Sequence, residues 1–200
     1  QYDKDERISI VTTEFSKGLE MINDLENGFY QSGPLKNAFF DMSFEFLERD
    51  ERVSDLIAWN DDIQEQLNKD VIQFLTIIPD LKARGLPNSR GIILSGPPGT
   101  GKTMMAKSLA NQTKISTMLI SAEMIFAKNQ VKKAFEVARK LSPTLMIIED
   151  IDTAGTVSRQ FTDHPILGEY LQAMDGMEPN DGIVIVATTN YTENIDPAIS

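Results

Sequence analysis

An apolar run that leads directly into a glycine-rich loop is the feature that most constrains the fold of this chain. Residues 92–94 are Ile-Ile-Leu, the kind of run that a buried parallel strand shows. Residues 96–103 then read Gly-Pro-Pro-Gly-Thr-Gly-Lys-Thr, a full match to the phosphate-binding pattern G-x-x-x-x-G-K-[ST]. Apolar residues at helical spacing follow, including Met105 and Leu109. This order of strand, loop and helix predicts a site for a nucleoside triphosphate.

The residue types in this loop suit a polyphosphate. Glycine lets main-chain N–H groups approach the phosphates closely, and the N-terminus of the following helix favours anions. Lys102 would bridge the β- and γ-phosphates, and the Thr103 hydroxyl would ligate Mg²⁺. We therefore expect ATP and Mg²⁺ as cofactors. The predicted nucleotide-binding residues are Gly96, Pro97, Pro98, Gly99, Thr100, Gly101, Lys102, Thr103 and Met104.

Two further apolar runs end in polar residues that suit the same site. Residues 144–150 end in Glu149 and Asp150, which places carboxylates at the C-terminal edge of a parallel sheet, where ligands bind in such folds. One carboxylate can hold Mg²⁺ through its water shell, and the next can orient and polarise an attacking water. Residues 183–190 end in Asn190, which would lie beside the acids if the two strands are neighbours. Its amide would then sense the γ-phosphate or orient water, the alternative being a turn-forming asparagine.

Strands and helices alternate along most of the chain. Residues 117–120 predict another buried strand, and residues 131–141 predict an amphipathic helix. A helix over residues 60–74, capped by Asn60 or Asp61 and closed by Pro79, precedes the glycine-rich loop. Such alternation indicates an α/β fold, a doubly wound parallel sheet with flanking helices.

Residues 1–54 read differently from residues 55–200, and we treat them as an N-terminal region of unknown function. Residues 8–13 and 38–47 are strand-like, and turn signals lie between them at Asn27-Gly28 and at residues 32–34. We expect a small α+β or β-rich unit here.

Composition excludes several classes of function. The net charge of −11 makes a nucleic acid an unexpected partner. The chain has no cysteine, so it has no disulfide framework and no thiol chemistry. No apolar run is long enough to span a membrane and no signal peptide is visible. We expect a cytoplasmic location, although a membrane anchor outside this stretch would also be compatible with the sequence.

The motifs together resemble a known family. GIILSGPPGTGKT, SPTLMIIEDID, MDGM, DGIVIVATTN and IDPA occur in this order. In that order they resemble the classical AAA branch of the AAA+ ATPases over about residues 55–200. By motif, residues 96–103 correspond to Walker A, Glu149 and Asp150 close Walker B, and Asn190 falls at the first sensor position.

The resemblance implies an activity and partners. Members typically form rings, often hexamers, and use ATP hydrolysis to unfold, thread or remodel proteins. The implied catalytic residues are Lys102, Glu149, Asp150 and Asn190, and the implied metal ligands are Thr103, Glu149 and Asp150. The implied partners are further copies of the chain and a protein substrate or adaptor.

Three departures from the family pattern bear on this expectation. Walker B usually ends Asp-Glu, whereas Glu149-Asp150 assigns the metal to Glu149 and the water to Asp150, with the reverse assignment left open. That ending resembles the branch of the family that contains the mitochondrial inner-membrane translocase for folded Rieske protein. The run 123–129, at the position of the substrate-gripping pore loop, lacks its glycine and offers Phe126 as the nearest aromatic residue. The arginine fingers and helical lid normally follow IDPA, so we expect this stretch alone to be nearly inactive.

Two other classes of function share part of the pattern. A P-loop kinase of a small molecule would use the same glycine-rich loop but would not need the Asn190 strand. A nucleotide-gated scaffold would bind ATP without hydrolysing it. The full set of motifs favours the remodelling ATPase over both.

Overall fold

The computed structural model describes residues 9–49, 60–121, 128–151 and 181–190. Within them, five parallel strands form one sheet in the order β1-β3-β4-β5-β2. The strands are β1 Phe39–Asp41, β2 Arg90–Ser95, β3 Ser116–Ser121, β4 Thr144–Glu149 and β5 Ile183–Thr189. The helices are α1 Phe15–Ser32, α2 Asp61–Leu67, the π-helical segment Asn68–Gln73, α3 Phe74–Ala83, α4 Lys102–Thr113 and α5 Lys128–Lys140. The predicted α/β fold with a parallel sheet is confirmed.

Helices cover both faces of the sheet, and the alternation of side chains along β4 shows how. Leu145 and Ile147 pack with α3 and α4, whereas Met146 and Ile148 pack with α5 on the opposite face. All four side chains are at most 1% exposed. A strand that buries both faces reads as an unbroken apolar run, which is why β4 and β5 were visible in the sequence.

The glycine-rich loop leaves the sheet at an edge of its described part. β2 pairs with β5 on one side, and among the described residues it is the terminal strand of the sheet. Residues Ile92 to Leu94 are accordingly half-buried, not fully buried as the apolar run predicts. Burial depends on the number of neighbouring strands, which the run itself does not encode.

The helix predicted before the loop is present but longer than expected. Asn60 caps α2 because its Oδ1 accepts a hydrogen bond from the Asp62 N–H at 3.0 Å. Pro79 lies inside α3, so the prediction that it closes the helix is wrong. A proline in a helix interior costs about 3 kcal/mol. The buried side chains of Leu75 and Ile78 hold the helix on the sheet and offset that cost.

The N-terminal region contains a long helix, α1, where the turn signals in the sequence predicted no helix. Residues 9–12 have no regular structure, so a strand over residues 8–13 is wrong for the described positions. Asn27-Gly28, taken as a turn, lies inside α1, because apolar residues there recur at helical spacing. The predicted turn at residues 32–34 is confirmed, since α1 ends at Ser32. The strand-like stretch 38–47 forms β1 and then turns, with Phe46 bridging back antiparallel to Phe40.

The described part of this N-terminal region is joined to the main sheet. β1 pairs in parallel with β3, aligning Phe39 with Thr117. Arg49 then crosses to the far end of α4, where its guanidinium donates to the carbonyl oxygens of Ala110 and Ile115. A boundary at residues 54 and 55 lies outside the described residues, so the two-part division and the role of residues 1–54 remain predictions.

We found no helix in the described segments that has the length and apolar character needed to cross a bilayer.

Candidate active site

The glycine-rich loop connects the C-terminal end of β2 to the N-terminus of α4. Gly99 and Gly101 have φ angles of +80° and +86°, which side chains with a Cβ rarely adopt. Gly101 is also the N-cap residue of α4, so the first turn of the helix begins at Lys102. Thr103 and Met104 follow in that turn, with Met104 exposed at the surface. The loop therefore ends on the free N–H groups of a helix, as an anion site requires.

Lys102 turns back over the loop. Its Nζ donates hydrogen bonds to the carbonyl oxygens of Gly96 at 2.7 Å and Pro97 at 2.8 Å. The hydroxyl of Thr100 also donates to the Pro97 oxygen at 2.9 Å. The ammonium group is thus held within the loop, where it would meet the phosphates of a bound nucleotide.

The strand register brings the predicted polar residues to one edge of the sheet. β5 lies between β4 and β2, and its last residue, Thr189, aligns with Ser95 at the end of β2. Asn190 follows Thr189 directly, and Gly96 follows Ser95. The asparagine is therefore level with the first residue of the loop. The condition set from the sequence, that the strands ending in Asn190 and in the acids are neighbours, is confirmed.

Asp150 is fixed by its backbone to β5. Its N–H donates to Thr188 Oγ1 at 3.0 Å, and the N–H of Ile151 donates to the Thr188 carbonyl oxygen at 3.0 Å. Asp150 itself adopts a positive φ of 51°, which turns the chain sharply after β4. Thr188 therefore anchors the position of the second acid, a role that its place at the polar end of an apolar strand could have suggested.

Glu149 faces the loop helix. Its side chain is 14% exposed, and its Oε1 lies 3.2 Å from the Nζ of Lys107 on α4. This oxygen is buried, and no described group stands in hydrogen-bonding geometry to it, so the lysine contact is an ion pair alone. The contact places the first acid directly beside the helix that follows the loop. Sequence reasoning missed Lys107, although it lies four residues after Thr103 and so on the same side of α4.

A cavity of about 870 Å³ runs from the loop along β2 to the start of α2. Arg90 lines it and is held by an ion pair with Asp70 at 2.7 Å and by stacking over the Phe74 ring, 4.2 Å from its centroid. Asn60 and Ile63 line the end of the cavity at α2. A volume of this size is in the range of small-molecule sites, about 300–1,000 Å³.

Residues 92–200 match the family described as "ATPase family associated with various cellular activities (AAA)". The match covers more than half of the chain and begins in β2, the strand that leads into the loop. The chain belongs to the AAA ATPase family. It is accordingly a nucleotide-binding domain, and the resemblance inferred from the motifs is confirmed.

Curated relatives of this AAA chain carry the name ATP-dependent zinc metalloprotease. FtsH of Metamycoplasma arthritidis is 34% identical over 155 residues, which is 72% of this chain and 21% of the relative. FtsH of Acidothermus cellulolyticus is 32% identical over 161 residues, 74% of this chain and 24% of the relative. FTSH 11, chloroplastic/mitochondrial, of Arabidopsis thaliana is 32% identical over 148 residues, 70% of this chain and 18% of the relative. The chain thus spans about a fifth of the length of the relatives that it matches.

The donor atoms in this AAA site fit Mg²⁺. Mg²⁺ prefers oxygen ligands and is usually bound by one or two carboxylates together with substrate phosphates. The described residues contain no cluster of three His, Cys, Asp or Glu side chains, and Mg²⁺ does not need one. Glu149 offers a buried oxygen without a hydrogen-bond donor, and Thr103 offers a hydroxyl in the first turn of α4. These residues would hold the ion near the phosphates.

Other sequence expectations fall on residues that the structure does not describe. The run 123–129, with Phe126, lies mostly in the gap between residues 121 and 128. The MDGM and IDPA segments lie in the gaps after residues 151 and 190. The expectations about a pore loop and arginine fingers therefore remain predictions.

Proposed function

We propose that this protein binds ATP with Mg²⁺ and hydrolyses it at the edge of the sheet formed by the ends of β2, β4 and β5. The observation that carries the proposal is the 3.2 Å contact between Lys107 and Glu149. It joins the helix that follows the phosphate loop to the strand-end acids, so phosphate binding and water activation can share one site. A bound γ-phosphate and an attacking water need this proximity.

The proposed roles follow from position and chemistry. Lys102 binds the β- and γ-phosphates, and Thr103 and Glu149 hold the ion, with Asp150 contributing to its water shell. Bound Mg²⁺ would neutralise charge on the phosphate oxygens. Asp150 accepts a proton from the attacking water, and Asn190 orients that water. The family match supports transfer of the phosphoryl group to water over transfer to a metabolite.

We also propose that the hydrolysis remodels, unfolds or translocates proteins within a ring of identical subunits. Support comes from the names of the relatives, which describe ATP-dependent proteases. The resemblance to the Rieske-protein translocase and the cytoplasmic location remain predictions, and one relative's name places it in chloroplasts or mitochondria.

Separate amide substitutions test the assignment of the two acids. In Asp150→Asn, we expect ATP·Mg²⁺ binding to persist while turnover falls at least about a hundredfold, as loss of a general base does. In Glu149→Gln, we expect Mg²⁺-dependent binding to weaken as well. Asp80→Asn, at an exposed position on α3, is the matched control and should change neither property. Equal loss of binding in both acid variants would contradict the assignment.

The dependence of rate on protein concentration tests the ring. A hydrolysis rate per subunit that rises with concentration and then saturates is expected if neighbouring subunits complete each site. A substantial rate independent of concentration would refute sites shared between subunits. Nucleotide binding without turnover at any concentration would indicate the nucleotide-gated scaffold instead.

A further inference from the structure

Lys107 contacts the proposed metal-binding acid, Glu149, from the helix that follows the phosphate loop. Lys107 lies in the second turn of α4, four residues after Thr103, and residues at this spacing share one side of a helix. Side chains on a helix lean toward its N-terminus, which here is the end that carries the phosphate loop. The ammonium group therefore lies near the phosphate site but one turn behind it.

The environment of Glu149 shows why this contact is needed. Its carboxylate is largely buried, and its buried Oε1 accepts no hydrogen bond from any described group. Burying a carboxylate without a partner is strongly unfavourable, and Asp150 adds a second carboxylate at the next position. The triphosphate of a bound nucleotide would add further negative charge. Among the described residues, Lys107 is a cation placed to offset this charge at Glu149 without occupying the phosphate site.

We propose that Lys107 is a positioning residue for the metal site. It holds the Glu149 carboxylate against α4, in line with Thr103, so that the carboxylate meets the water shell of Mg²⁺ already oriented. This inference rests on the proposed function, because it assumes that Glu149 serves the metal. In this role Lys107 would act through the Glu149 carboxylate and not by direct contact with the nucleotide or the ion. Partners of this kind, which orient a metal ligand from behind, typically change metal affinity about 10–100-fold when removed.

The test compares ATP binding by the intact protein in Mg²⁺ and in excess EDTA. Lys107→Met removes the charge and keeps most of the side-chain length. We expect it to weaken ATP binding about tenfold in Mg²⁺ and to leave binding in EDTA within about twofold. Lys107→Arg, which keeps the cation, should retain most of the ATP affinity that the unmodified protein has in Mg²⁺. Lys132→Met, which removes an exposed lysine on α5, should match the unmodified protein in both conditions.

A double-mutant cycle shows whether Lys107 acts through Glu149. In a Glu149→Gln background, Lys107→Met should change the Mg²⁺ effect less than about twofold, because the partner carboxylate is already gone. The proposal would be overturned if Lys107→Met weakened ATP binding equally in Mg²⁺ and in EDTA, or in neither. It would also be overturned if the effects of Lys107→Met and Glu149→Gln on ATP binding in Mg²⁺ were additive. If Lys107→Met does not fold, Lys107→Gln takes its place in the same comparison. If ATP binding by the unmodified protein is the same in Mg²⁺ and in EDTA, the proposed function itself is refuted.

Discussion

Replacing Arg49 by methionine should destabilise the whole AAA domain. The guanidinium donates to the carbonyl oxygens of Ala110, Ile115 and, at 3.3 Å, Asn37. Ala110 lies in the last turn of α4, where carbonyl groups have no backbone N–H partner within the helix, and its oxygen otherwise accepts a hydrogen bond from the Thr113 hydroxyl at 3.4 Å. Arg49 therefore ties the N-terminal region to the far end of the helix that carries the phosphate loop.

The magnitude follows from these bonds and from the exposure of the side chain. A hydrogen bond that involves a charged group contributes about 1.5–3 kcal/mol. Arg49 is only half-buried, and its burial lowers the pKa of the guanidinium, so screening by water and a desolvation cost reduce the sum. We expect a net loss of about 2 kcal/mol in the free energy of unfolding. For a chain of this length that corresponds to a fall in melting temperature of about 4–8 °C.

Urea unfolding followed by circular dichroism measures the change. Arg49→Met should lower the urea concentration at the midpoint of unfolding without changing the dependence of the unfolding free energy on urea concentration. That result would show that stability changed while the surface exposed on unfolding stayed the same. Arg49→Lys should recover only part of the loss, because an ammonium group lacks the forked geometry of guanidinium. Arg84→Met, at an exposed arginine, is the matched control. If Arg49→Met costs no more than this control, the reasoning is refuted.

Three smaller perturbations test individual elements. Gly28→Ala should stabilise α1 by about 0.5–1 kcal/mol, because Gly28 lies in the helix and an added Cβ meets nothing within 4 Å. Asn60→Ala should destabilise α2 by about 1 kcal/mol, since it removes the side chain that accepts from the Asp62 N–H; both changes are read from urea midpoints. A hydrogen bond with Glu26, aided by its charge, raises the pKa of Lys140, and Glu26→Gln should lower that pKa in an NMR titration.

Each of these has a result that would contradict it. Destabilisation by Gly28→Ala would mean that α1 is not helical at this position. Asn60→Asp should keep the cap, so a loss equal to that of Asn60→Ala would exclude a capping role. The pKa of Lys140 is higher in the folded protein than the value of about 10.4 expected in the unfolded chain. The ion pair with Glu26 therefore stabilises the fold fully at pH values below the unfolded pKa, and this stabilisation is lost as pH rises through the folded pKa. An unchanged alkaline profile in Glu26→Gln would refute that linkage.

The local features of this protein could be predicted from its sequence. The phosphate loop is recognisable because glycines at positive φ, a lysine and a threonine must stand at set positions for the backbone to surround phosphate. The apolar strands β3, β4 and β5 and the capped start of α2 are visible because each depends on its own residues or on near neighbours. The same is true of the polar residues that end the strands, including Glu149, Asp150 and Asn190.

Only the tertiary structure decided which of these features meet. The sheet order places β5 between the acid strand and the loop strand, and no property of the individual strands encodes that order. The contact of Lys107 with Glu149 joins residues that lie 42 positions apart in the sequence. The contact of Arg49 with the end of α4 joins residues at least 61 positions apart. Local patterns also misplaced the end of α3 at Pro79, because burial of Ile78 outweighed the cost of proline. Local structure follows from nearby residues, whereas strand order and long-range ion pairs follow from the joint burial of both faces of one sheet.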